Sequence, residues 1–427
     1  MRNAMFSHLW ILTIAAGIVT GARPAAAQTP VPTIEFEAAI QRALEKNPGV
    51  AQAATAITRA EALSEQARAL IKPTVSAGFS NTTLDSARGF SGGITPPQSQ
   101  STISADVTVP VLNLSRWATL PQARDQIEIA RLSTADVRRE IAVATAQAYL
   151  AVTAGRRQVD VDQRAVDNAR AHLDYAQRRV QGGAGSRLNE LRAASAASTS
   201  EARLENTRLS LRRAQEALGV LLAADGPMDA GADPAFDTPT AIDEQAWMQA
   251  RPDVRFQLAT QHAAERVVRD TWRDWIGNAS ATFSPQVVTP RGLFQPSQTW
   301  RLTVSFSQPI FEGGQKRAVL HLRELQVEQS KLALTDVELR ARSEVRIAQE
   351  SLQSYQRALD RARLAATQAD DVLRITTSAF EVGATTNIEV IDAQRSARDA
   401  ESAAASAEDA VRRAQLELLV SIGRFPR

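Results

Sequence analysis

The feature that most constrains the fold is a repeat that divides the chain into two similar halves. Three pairs of landmark residues are each separated by about 200 positions: Pro48 and Pro252, Pro110 and Pro309, Gly183 and Gly383. A period this long is not that of a solenoid and indicates two copies of one structural unit. We therefore predict a first copy at 28–225, a linker at 226–245 and a second copy at 246–427.

Each copy contains three predicted helices, one of them far longer than a single core requires. They span about 48–71, 113–181 and 188–224 in the first copy, and about 252–276, 313–381 and 388–422 in the second. At 1.5 Å per residue, each long helix extends roughly 100 Å. Apolar residues at spacings of 3 and 4, continuous from Val390 to Leu418, predict coiled-coil packing. An ordinary coiled-coil dimer is the alternative interpretation.

The helix lengths also predict how the shorter helices are arranged. The combined length of the returning helix of one copy and the first helix of the other is close to the length of one long helix. We expect such a pair to stack end to end and to run antiparallel to that long helix. Glycine-rich turns at 182–186 and 382–386 reverse the chain at the far end, because glycine tolerates the left-handed dihedrals that end a helix.

Four runs of alternating apolar and polar residues predict amphipathic strands. They lie at about 73–85, 101–111, 279–289 and 299–310. Four strands of this kind leave two open edges, and an open edge is not tolerated in lipid, so the strands must close with further copies of the chain. The number of copies does not follow from this pattern. A small soluble β-subdomain packed on the helices is the alternative.

Composition narrows the possible functions. Residues 1–27 have a basic start, a short apolar run and an Ala-rich cleavage site, which predicts a secretory signal peptide rather than a membrane anchor. The chain has no cysteine, which excludes disulfides, a lipoprotein anchor and thiolate metal sites. Its formal net charge is +2, which falls to about zero once the two arginines of the predicted signal peptide are removed, so we expect no nucleic-acid partner.

No pattern of catalytic residues is present. The three histidines after the signal peptide lack metal-ligand spacing, and Ser186 and Ser195 have no base nearby. We place His172 at the surface of its helix. We predict no enzyme activity and no cofactor.

Taken together, these residues resemble the TolC-type outer-membrane efflux proteins. The resemblance rests on the signal peptide, the duplicated halves, the Pro-Val-Leu and Pro-Ile-Phe sequences that close the second strand of each copy, and the glycine turns. It implies a mixed α and transmembrane β fold in which a homotrimer forms a 12-stranded barrel in outer-membrane lipid, continuous with a periplasmic α-helical barrel.

The resemblance also implies partners and a function. Such proteins are exit ducts of tripartite efflux pumps or type I secretion systems and work with a periplasmic adaptor and an inner-membrane transporter. Drug, metal, solvent and polypeptide export all remain open. An exported coiled-coil adaptor or scaffold without a pore is the alternative, although no lipoyl-like domain is visible between the helices.

Site residues follow from the same resemblance. Glu389 and Asp392 occupy the positions of a pore constriction, with solvated helix charges as the alternative. Thr385 stands where some relatives carry a latching arginine, and Arg187 or Arg192 is a candidate partner for the two carboxylates. The adaptor is expected to dock on the tips at Gly182, Gly183, Gly185, Ser186, Gly383, Thr385 and Thr386.

Overall fold

The computed structural model describes residues 31–90, 93–94, 97–239 and 243–425. The predicted signal peptide lies outside the described residues. The α-helices are α1 (Phe36–Lys46), α2 (Pro48–Ala69), α3 (Leu114–Gln181), α4 (Arg187–Leu221), α5 (Glu244–Ala250), α6 (Pro252–Asp270), α7 (Gln315–Glu381) and α8 (Asn387–Ser421). The strands are β1 (Thr33–Ile34), β2 (Thr74–Thr83), β3 (Gly89–Phe90), β4 (Gly93–Ile94), β5 (Ser99–Leu112), β6 (Asp229–Ala230), β7 (Asn278–Thr289) and β8 (Gln298–Ser307).

The two longest helices, α3 and α7, form the spine of a helical rod. They have 68 and 67 residues, which corresponds to roughly 100 Å each. On α8, the seam residues Val390, Ala393, Ala414 and Leu418 are buried, because α8 packs along both α7 and α3. No helix among the described residues has both the length and the apolar character required to cross a bilayer.

The shorter helices stack within each copy, so the predicted stacking across copies was wrong. Asn47, the N-cap of α2, donates its amide to the carbonyl of Leu221 at the end of α4 (2.9 Å). Arg251, which precedes α6 and is buried, donates to the carbonyl of Ser421 at the end of α8 (3.1 Å). Each contact satisfies a helix-end carbonyl that has no partner within its own helix. The first helices of the two copies have similar lengths, so length alone did not distinguish the two pairings.

The strands at the other end of the rod form one antiparallel sheet in the order β2-β5-β7-β8. Val75, Val107, Phe283 and Leu302 are cross-strand neighbours in one row of one face, and all four are at least partly exposed. On the opposite face, Thr108 and Thr282 share a hydrogen bond of 3.2 Å. The sheet therefore has one apolar face and one polar, hydrogen-bonded face, while β2 and β8 are its edges.

A small core at the middle of the rod was not predicted. Phe36 of α1 packs edge-on against Tyr149 of α3, with 5.2 Å between ring centroids, and Tyr149 donates its hydroxyl to the carbonyl of Ala232. Strands β1 and β6 pair in parallel beside this core. These contacts hold the segment between the two copies against the rod.

Candidate functional site at the helix tips

Two turns reverse the chain at the end of the rod farthest from the sheet. The first tip (182–186) joins α3 to α4, and the second tip (382–386) joins α7 to α8. Gly183 and Gly383 adopt left-handed φ values of 74° and 81°. A Cβ on either glycine would meet nothing within 4 Å. The backbone conformation, rather than lack of space, therefore requires glycine at both positions.

Gly185 differs from the other tip glycines because it is closely packed. A Cβ there would lie 2.7 Å from the backbone nitrogen of Val180. Gly182 has an ordinary φ of −78°, and a Cβ on it would meet only normal van der Waals contacts. Among the predicted docking residues of the first tip, Gly182 is thus the glycine that tolerates a side chain.

The hydroxyl residues of the tips begin the returning helices. Ser186 accepts from the backbone nitrogen of Leu188 (3.3 Å). Thr386 accepts from the nitrogen of Glu389 (3.5 Å), while the Glu389 carboxylate accepts from the nitrogen of Thr386 (3.2 Å). This reciprocal pair is a capping box, which satisfies two otherwise unpaired donors of α8. Thr385 is half-buried and Thr386 is exposed.

The two predicted pore carboxylates lie at the start of α8, and both are exposed in the single chain. Asp392 lines a cavity of about 690 Å³ between α3, α4, α7 and α8, together with Arg192 and Arg395. Arg187 forms an ion pair with Glu190 at 2.6 Å. The suggested pairing of Arg187 with Glu389 or Asp392 is therefore not observed.

A buried hydrogen-bond relay connects the second tip to the first copy. The Nε2 atom of His172 lies 2.7 Å from the Oδ1 atom of Asn387. The Asn387 amide also donates to the carbonyl of Asn189, at 3.4 Å. His172 and Asn387 are 7% and 3% exposed, and burial lowers the pKa of His172 below its ordinary value. One asparagine thus connects α8 with both α3 and α4.

The surface position that we predicted for His172 was wrong. Helix α3 packs against α4 along one seam and against α8 along another. A residue outside the first seam therefore enters the second. A comparison of the two copies could have pointed to this site. The positions 200 residues from His172 and Asn387 hold Val372 and Arg187, so the two copies differ at both residues of the pair.

Aromatic residues surround the relay. Phe380, at the end of α7, lies 5.3 Å from His172 and 5.7 Å from Tyr175 between ring centroids. The guanidinium of Arg179 lies 5.8 Å from the centre of the Phe380 ring. The Tyr175 hydroxyl donates to the carbonyl of Glu381 (3.3 Å). Together with Asn387, these side chains attach the second tip to α3 through contacts that contain no carboxylate side chain.

No group of three or more side chains suited to a metal ion occurs in the part of the chain that the structure describes. The rod, the amphipathic sheet with two edges and the paired tips define a duplicated subunit in which a long helical rod ends in a four-stranded sheet. The chain belongs to the outer membrane efflux protein family, which matches residues 39–224 and 252–424. This match confirms the predicted family and its outer-membrane location, and it identifies the chain as a transport protein rather than an enzyme.

Individual relatives agree with the family. The chain is 28% identical over 221 residues to the outer membrane protein OprJ of Pseudomonas aeruginosa, a match that covers 46% of this chain and 43% of OprJ. The chain therefore aligns with less than half of OprJ.

Solved structures share the fold. The CmeC outer membrane channel of Campylobacter jejuni has a TM-score of 0.79 at 14% identity, covering 98% of this chain and 94% of CmeC. The open state of the MtrE outer membrane channel of Neisseria gonorrhoeae has a TM-score of 0.77 at 18% identity, covering 91% and 88%. The predicted fold class is thus confirmed.

Proposed function

We propose that three copies of the chain form an exit duct that conducts substrate from a periplasmic adaptor and an inner-membrane transporter across the outer membrane. The observation that carries this proposal is the sheet with two unpaired edges. Strands β2 and β8 each have 10 residues. Because strand direction alternates across four strands, β8 of one copy runs antiparallel to β2 of the next. Three copies then give the twelve strands that the family resemblance implies.

The two faces of the sheet suit such a barrel. Val75, Leu302 and Val304 are 60% to 73% exposed on the apolar face, where lipid contact favours apolar side chains. Asp106 accepts from the Ser284 hydroxyl on the polar face (2.5 Å), which suits a water-filled lumen. Closing the edges satisfies the backbone groups that lipid leaves unpaired.

The seven predicted tip residues are proposed as the adaptor-docking surface. Six are exposed, and Thr385 is half-buried. The open space beside Gly183 and Gly383 leaves both turns accessible to a partner. Ser186 and Thr386 also cap helices, so substitutions there would combine effects on docking and on folding.

We further infer that the duct opens when the second tip moves away from α3. The relay through Asn387 and the ring contacts of Phe380 join the two hairpins, so both sets of contacts must break for this motion. Glu389 and Asp392 are proposed to line the closed end. In a trimer, they form two rings of three carboxylates, which attract cations and disfavour anions.

Single-channel recording in planar bilayers tests the duct and its carboxylates together. We expect discrete, cation-selective channels, and we expect Glu389→Gln with Asp392→Asn to raise conductance or reduce cation selectivity. Glutamine at position 389 retains the capping box, so this variant changes charge with little effect on the fold. Glu190→Gln, which removes a carboxylate beside the first tip, is the control.

Two outcomes contradict the proposal at different levels. Absence of any channel from correctly inserted protein overturns the duct. If conductance and selectivity are the same in the double variant and the wild type, Glu389 and Asp392 do not line the closed end.

A further inference from the structure

The four-stranded sheet contains two charged side chains of opposite sign. Asp106 lies in β5 and Arg301 lies in β8, whereas the residues of β2 and β7 are all uncharged. Side chains alternate along a strand, and the adjacent residues Val107 and Leu302 lie in one row of the apolar face. Both charges therefore lie on the polar face. In outer-membrane barrels the residues that face the lumen determine selectivity, so this pair is a candidate selectivity site.

The strand register places the two charges in one row across the sheet. Ser76 pairs with Asp106, and Ser284 pairs with Arg301. The Ser284 hydroxyl donates to the Oδ1 atom of Asp106, which joins β7 to β5 within the same row. Asp106 and Arg301 are therefore two strands apart, about 10 Å between their backbones, with one uncharged serine between them.

The two charges do not neutralise each other by direct contact. Asp106 is half-buried and is held by Ser284, whereas Arg301 is exposed. Among the residues that the structure describes, Arg301 forms no ion pair or hydrogen bond through its side chain. Its positive charge is therefore presented to the space in front of the polar face. A separation of about 10 Å is close to the Debye length of about 8 Å at physiological ionic strength, so the two fields still partly cancel there.

We propose that Asp106 and Arg301 form a charge-balanced site in the lumen of the barrel, which lets cations and anions pass alike. This inference rests on the proposed trimeric duct, in which the polar face of the sheet lines the lumen. Three copies related by threefold symmetry place three carboxylates at one height and three guanidiniums at another. Neither sign predominates in the barrel, so the cation preference of the duct arises at its closed end.

Charge-selective labelling of a cysteine beside the two residues tests the charge-balanced site. The chain contains no cysteine, so Gln286→Cys introduces a single thiol on the polar face of β7, diagonally opposite both Asp106 and Arg301. The full chain in outer membranes is treated with two methanethiosulfonate reagents, one with a cationic trimethylammonium group and one with an anionic sulfonate. The ratio of the two labelling rates reports the local potential, because the reactivity of the thiol itself cancels in the ratio.

We expect Arg301→Gln to raise the ratio of cationic to anionic labelling and Asp106→Asn to lower it. Each change should be about two- to threefold, the effect of one unit charge about 7 Å away at physiological ionic strength. Both substitutions together should return the ratio to that of Gln286→Cys alone. Arg301→Lys keeps the charge and is the matched control, so it should leave the ratio unchanged.

Failure of the site and failure of the duct give different results. If neither reagent labels Gln286→Cys, the polar face does not line a water-filled lumen, and the duct and the charge-balanced site are both contradicted. If both reagents label the thiol but Arg301→Gln and Asp106→Asn leave the ratio unchanged, the duct stands and the site is overturned. A ratio that changes equally in Arg301→Gln and Arg301→Lys also overturns the site, because the effect then does not come from charge.

Discussion

At the residue scale, Asn387 has an unusual position for the first residue of a helix. Its side chain is buried and uses both its oxygen and its nitrogen, with His172 on one side and the carbonyl of Asn189 on the other. An amide that has partners on two helices holds the second tip without any charge. We therefore expect that this chain needs no latching arginine at the position of Thr385.

Asn387→Ala should weaken closure of the second tip. The substitution leaves the buried His172 ring nitrogen without its partner, at a cost of about 1–3 kcal/mol. Since 1.4 kcal/mol corresponds to a factor of ten, we expect about a tenfold rise in the open fraction, measured as channel open probability in bilayers. Asn189→Ala is the matched control, because Asn189 contributes only its backbone carbonyl. Equal behaviour of the two variants would contradict the relay.

His172 predicts how closure depends on pH. Burial lowers its pKa from the ordinary value of 6.5, so the packed tip favours the neutral ring more than a solvated, opened tip does. The contribution of the neutral His172 ring to the free energy of closing is therefore fully present above about pH 6.5, and it decreases as the pH falls below that value.

We expect the open probability of the wild type to rise between about pH 7.5 and about pH 5.5. His172→Gln keeps a donor for Asn387 and removes the titrating group, so its open probability should change less over the same range. An identical pH response in both proteins would assign the effect to other groups.

At the element scale, the sequence specified the long helices and the strands much better than the contacts between helices. Periodicity and glycine placement located α3, α7 and both tips, because these signals are local. The α4–α2 junction at Leu221 and Asn47 depends on which helix end is nearest in space, and no local signal contains that information. Likewise, the capping role of Glu389 depends on Thr386, which is three residues away in the sequence. The burial of Asn387 depends instead on two neighbouring helices.

Two glycines of the first tip differ in how closely they are packed, which allows docking to be tested separately from folding. Gly182→Arg places a long charged side chain on an exposed position with ordinary backbone dihedrals. We expect it to abolish efflux in cells while trimers remain intact on gels. Gly185→Ala is the comparison, since its Cβ would clash with the backbone at Val180 and should lower thermal stability instead. Normal efflux in cells that carry Gly182→Arg would show that the adaptor does not dock on the first tip.

At the scale of the whole molecule, assembly depends on how the two sheet edges are paired. The duplication places two strands in each copy of the unit, and β5 and β7 join the copies in the middle of the sheet. This leaves β2 and β8 as complementary edges of equal length. The sequence predicted the existence of these edges, but their pairing depends on neighbouring subunits that a single chain does not encode locally.

Cross-linking between the sheet edges tests whether β2 and β8 of neighbouring subunits pair. The chain contains no cysteine, so Thr303→Cys on β8 can be combined in turn with Ser76→Cys, Ser80→Cys or Thr82→Cys on β2 and treated with a short bismaleimide in outer membranes. Each single-cysteine variant is the control. We expect at least one pair to give covalent species of two and three subunits and none larger. A ladder that continues beyond three subunits, or no cross-linking at any of the three pairs, would contradict closure of a trimer through β2 and β8.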